Sequence, residues 1–69
     1  MSTITTLGDA LPAEMARVRK VLGHYKELGP VGMFGAMFIE QSLQAADKAV
    51  MSGDVVAMLH AFAELKEIN

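Results

Sequence analysis

Gly29 followed by Pro30 marks a place where no helix can run through this chain. Glycine readily takes the left-handed conformation that closes a helix, and proline has no N–H with which to continue one. A second break, Ser52-Gly53-Asp54, combines a helix-ending glycine with an aspartate suited to capping the next helix. These two breaks leave segments of helical length, and no segment carries the strict alternation of a half-buried strand.

The first segment predicts a helix from about Ala10 to Leu28. Asp9 is placed to cap it, and Pro12 is tolerated if it falls in the first turn. Leu11, Met15, Val18, Leu22 and Tyr25 recur at spacings of four and three and form one apolar face. Gly23 in mid-helix costs up to about 1 kcal/mol relative to alanine, which points to close packing at that position. Residues 1–9, ending in Gly8 and Asp9, read as a loosely ordered leader, and residues 10–69 as a single helical domain. Pro30 also suits the start of a second helix, running to about Met51, with Ile39, Leu43, Ala46 and Val50 along its core stripe. The third helix, after Asp54, points Val55, Met58, Leu59, Phe62 and Leu65 inward. The fold class is all-α: a three-helix small domain with a C-terminal antiparallel helical hairpin.

Length makes such a domain marginal. Ordering 69 residues costs on the order of 100 kcal/mol, and with no cysteine there is neither a disulfide nor a thiolate metal site to offset it. Hydrophobic residues make up 52% of the chain, more than a lone small domain can bury. A homo-oligomer is therefore expected. The first turns of the second helix supply the expected interface. There Gly32, Gly35, Ala36 and Ile39 form a face of small residues for close helix approach, and Met33, Phe34, Met37 and Phe38 pack around it. The same glycines make no phosphate loop, because "GPVGMFG" lacks the Lys-Ser/Thr pair and the preceding strand of a P-loop. "GPVG" matches the GxxG of RNA-binding KH loops, but the mixed α/β domain around such loops is missing here. The apolar run from Pro30 to Ile39 is about half the length of a bilayer crossing, and no signal peptide opens the chain. No membrane partner is expected.

Four of the six basic residues, Arg17, Arg19, Lys20 and Lys26, cluster between residues 15 and 26 with no acid among them. On a helix Arg17, Lys20 and His24 form one line. Either this is a solvated face, or with Tyr25 and Gly29 it forms a binding surface for a small anionic, nucleotide-like ligand. The amides after Gly29, at a helix start, add a further anion-binding element to that second reading. A net charge of −2 argues against duplex nucleic acid. His60 and Glu64 stand four apart, and His24 and Glu27 three apart, but neither pair has a third metal ligand or an oriented nucleophile by spacing. The expectation is no enzyme, no metal and no cofactor.

The stretch "AADKAVMSGDVVAMLHAFAEL" resembles the helical hairpins of tetratricopeptide repeats, although no second copy follows it at any period. More widely, "LPAE…R", "GPxGxFGAxxIE" and "SGDVVAM" between Leu11 and Leu65 resemble a group of short uncharacterised proteins encoded by bacteriophages and prophages of proteobacteria. That resemblance implies a non-enzymatic accessory protein in the bacterial cytoplasm that binds and modulates a host protein. The alternative is a sponge that sequesters the anionic ligand.

Overall fold

A computed structural model describes residues 3–69, with side-chain surroundings from Leu7 onward. Among the described residues there are three α-helices and no strand. α1 spans Thr3–Glu27, α2 Met33–Ser52 and α3 Val55–Lys66, and a 3-10 turn over Gly29–Gly32 joins the first two.

The first helix starts seven residues before the expected Ala10, so Asp9 lies in its interior and caps nothing. Of the expected leader, Met1 and Ser2 lie outside the described residues, and the remainder is helical. Burial explains the extension. Leu7 is buried one turn before Leu11 and extends the stripe that continues through Met15 and Val18. Pro12 consequently sits well inside the helix, where it removes a hydrogen bond to the Gly8 carbonyl and crowds that carbonyl. Gly23, expected to mark a close contact, faces open space.

At the end of α1 the Leu28 amide donates to the Tyr25 carbonyl at 3.2 Å. Gly29 takes φ +68°, as a glycine before proline at a helix end was expected to do. The chain then turns more tightly than a direct helix start at Pro30 would allow, and α2 begins only at Met33. The tightness is visible at Gly32, where a β-carbon would collide with the Tyr25 carbonyl oxygen. At the second break Gly53 takes φ +70° and donates to the carbonyls of Ala49 and Val50 at 3.1 and 3.2 Å. Asp54 Oδ1 accepts from the amides of Val56 and Ala57 at 3.0 and 3.2 Å, closing the start of α3.

The core collects Leu11, Met15 and Val18 from α1, Ile39, Leu43, Ala46 and Ala49 from α2, and Ala61, Leu65 and Ile68 from α3 and its tail. Leu22, Tyr25, Met58 and Phe62 pack at its margin. Three expected core residues, Val50, Val55 and Leu59, are exposed instead. Ala49 and Ala61 take the inward positions, because small side chains let α2 and α3 lie close together near their joint. One buried hydroxyl, Ser42 Oγ, bonds Glu64 Oε1 at 2.6 Å across the α2–α3 contact. No buried side-chain polar atom among the described residues lacks a partner.

Candidate functional site

The residues of the basic line of α1 take different environments. Arg17 turns toward the end of α3, where its Nη2 donates to the carbonyls of Leu65 and Ile68 at 3.0 and 2.9 Å. Leu65 stands in the last turn of α3, where carbonyls lack i+4 partners, and its oxygen also accepts from the Ile68 amide at 3.0 Å; Ile68 lies just beyond the helix. The same guanidinium bonds Glu14 through Nε and Nη2 at 3.0 and 3.1 Å. That hydrogen bond, helped by the charges of Arg17 and Lys66 and opposed by desolvation, holds the Glu14 carboxyl below its ordinary range. Arg17 is thus a clamp between α1 and the α3 terminus, and it is withdrawn from the expected anion surface.

Two flanking cations also have acidic neighbours. Lys26 Nζ lies 3.2 Å from Glu40, and Arg19 Nη2 lies 3.9 Å from Asp47. The acids absent from residues 15–26 are therefore supplied by α2, a pairing that spacing along α1 could not reveal. Lys20 and His24 remain exposed and make no ion pair among the described residues. Tyr25 offers no free stacking face on its inner side, since its ring lies against Gly35 and its hydroxyl donates to the Asn69 carbonyl at 3.5 Å. Gly29 is spent on the turn.

The expected interface is divided by the fold. Gly32, Ala36 and Ile39 are buried within the chain, and a β-carbon on Gly35 would lie 2.6 Å from the Tyr25 ring. The small residues of α2 do allow a close helix approach, but the helix that approaches is α1. Gly32, Gly35, Ala36 and Ile39, expected at an interface with a second chain, are thus in contact with residues of their own chain.

The large residues of the same segment stay uncovered. Phe34 is 88% exposed, and Met33, Met37 and Phe38 are 59%, 58% and 56% exposed. Phe34, Met37, Phe38 and Gln41 follow the spacing of a single helical face and line an open concavity of about 240 Å³. Leu28 and Val31 extend the apolar surface along the preceding turn. A smaller exposed group, Val50, Met51, Val55, Val56 and Leu59, surrounds the joint at the opposite end of α2.

Magnitudes rank the two surfaces. Burying one such side chain is worth about 1.5–3 kcal/mol, whereas an exposed ion pair contributes about 0–1 kcal/mol. Side chain for side chain, the apolar face of α2 therefore has more free energy to gain from being covered than the charged face of α1. His60 is exposed, and Glu64 is committed to Ser42. Among the described residues no three His, Cys, Asp or Glu side chains gather as a metal site, and no helix is long and apolar enough to cross a membrane.

Comparison of the chain with protein-family models, with curated proteins and with solved structures finds no match.

Proposed function

We propose that this chain is a non-enzymatic interaction protein of the phage-accessory kind, acting in the bacterial cytoplasm by binding and modulating a host protein. Its working surface is the exposed apolar face of α2, with α2 and α3 serving as an antiparallel helical hairpin and the chain assembling as a homo-oligomer. One observation carries this reading: Met33, Phe34, Met37 and Phe38 are each more than half exposed on adjoining positions of one element. Contiguous apolar surface of this kind marks interaction sites. The sponge reading keeps only Lys20 and His24 of its five residues as exposed cations without an ion pair among the described residues.

The test is affinity purification of the tagged chain from a bacterial host, side by side with Phe34→Glu. A host protein retained in stoichiometric amount by the native chain and lost with the variant supports the reading. Retention that ignores Phe34→Glu, or no retained protein at all, counts against it.

A further inference from the structure

We propose that the occupant of the α2 face is a second copy of this chain, seated by a two-fold axis that passes between the two Phe34 side chains. The proposal rests on the reading of this face as a protein-docking surface and names what covers it while no host protein is bound, so that host binding would compete with self-association.

Area supports a second copy. A fully exposed aromatic side chain presents about 150–250 Å². Scaled by exposure and taking the lower part of that range for every large side chain, Leu28, Val31, Met33, Phe34, Met37 and Phe38 together present at most roughly 700 Å² per chain, below but near the about 800 Å² that each partner gives to a standard interface. The patch can therefore supply most of the area that a stable contact between two copies needs.

Shape supports the two-fold. The most protruding side chain, Phe34, stands on the wall of the concavity that it forms with Met37, Phe38 and Gln41. Knob and hollow therefore lie on the same patch, which is the condition for an isologous contact, in which residue i meets j and j meets i. A volume of about 240 Å³ accommodates a phenyl ring, since a cavity of about 150 Å³ already takes benzene. Charge does not oppose the pairing. No patch residue is ionisable, and Lys26 is already neutralised by Glu40 at the flank. The apolar patch itself therefore brings no like charges together, and Glu27, a carboxylate without an ion pair among the described residues, stands at its Leu28 end.

The second apolar group, around Met51, lies about 25 Å along α2 from Phe34 at 1.5 Å per residue. Pairing of the Phe34 end with the Met51 end of another copy would be head-to-tail and would grow with concentration instead of closing. The two arrangements are separable by mass.

Sedimentation equilibrium of the full chain at tens of micromolar, with Phe34→Glu and Met51→Glu measured in parallel, tests the assignment. Phe34 is exposed in the single chain, so its variant should keep the helical circular dichroism of the native protein. The expected result is a closed dimer for the native chain and for Met51→Glu. Phe34→Glu should weaken the dimer by about a hundredfold or more and so dissociate it, because the substitution is felt twice across the axis. A dimer that survives Phe34→Glu, or a mass that keeps growing and is halted by Met51→Glu, overturns the two-fold assignment. A monomer that nevertheless captures a host protein through Phe34 overturns the second copy and leaves the docking reading standing. A monomer with no Phe34-dependent partner removes both.

Discussion

Arg17 and Gly35 show how far a side chain's role can lie from its neighbourhood in sequence. Arg17 sits in the most basic stretch of the chain, yet its guanidinium spans to carbonyls 48 and 51 residues away. Its Nε and Nη2 both face Glu14, and Nη2 is shared with the two carbonyls at the α3 terminus, a planar arrangement that the single ammonium of lysine cannot reproduce. The Glu14 carboxyl titrates below its ordinary value of 4.5 because Arg17 bonds its charged form. A carboxyl lowered on folding contributes stability that is complete above the unfolded value and is lost as pH falls through the folded one. Glu14→Gln should therefore flatten the acid side of the stability curve, read as denaturant midpoints from neutral pH down to about pH 3. A slope equal to that of the native chain would remove the pair from the account. At Gly35 the Tyr25 ring occupies the space a β-carbon would need. Gly35→Leu should cost about 1–3 kcal/mol of folding stability through overpacking, and Tyr25→Ala in the same chain should recover part of that loss. A Gly35→Leu chain that keeps its stability and changes only its assembly would mean that the glycine faces another chain after all.

The helices themselves were largely legible, and their ends less so. Gly29, Gly53 and Asp54 have local chemistry that prescribes their conformation, and the structure uses each as that chemistry requires. The start of α1 was misread because Asp9 and Pro12 form a plausible opening, while the stronger signal was Leu7 continuing the stripe of Leu11 and Met15. Local capping is worth about 1 kcal/mol. Burying a leucine is worth about twice that, so the stripe wins and the helix runs on through the proline. The proline's cost persists in the native structure. Pro12→Ala should restore the missing hydrogen bond and stabilise the chain by up to about 3 kcal/mol. Hydrogen exchange should then slow chiefly in the turns before residue 12. No gain in stability or protection would indicate that those turns add nothing to the native helix. At the joint of α2 and α3 the register between Ala49 and Val50 was undecided by spacing. A period of 3.6 allows either, and the structure buries Ala49 and leaves Val50 exposed.

At the scale of the whole molecule, the chain measures about 42 × 20 × 16 Å and holds its core between three helices while leaving a band of large apolar side chains outside it. A domain of this length carries a net stability of only about 3–10 kcal/mol, so covering that band would add a substantial fraction. If the second copy covers it, the melting temperature should rise with protein concentration, and Phe34→Glu should abolish that dependence. The sequence alone determined the all-α class, the two breaks and most of the core stripe, because each depends on neighbours within a turn or two along the chain. Only the tertiary structure decided which helix the glycines of α2 admit, that Arg17 closes α3, and that acids of α2 answer the cations of α1. It also separated the small residues of the glycine segment, used inside, from the large ones, left outside. The reason is physical. Periodicity reports which residues share a face, but what that face meets depends on where the other helices lie, and that depends on the packing of the whole chain.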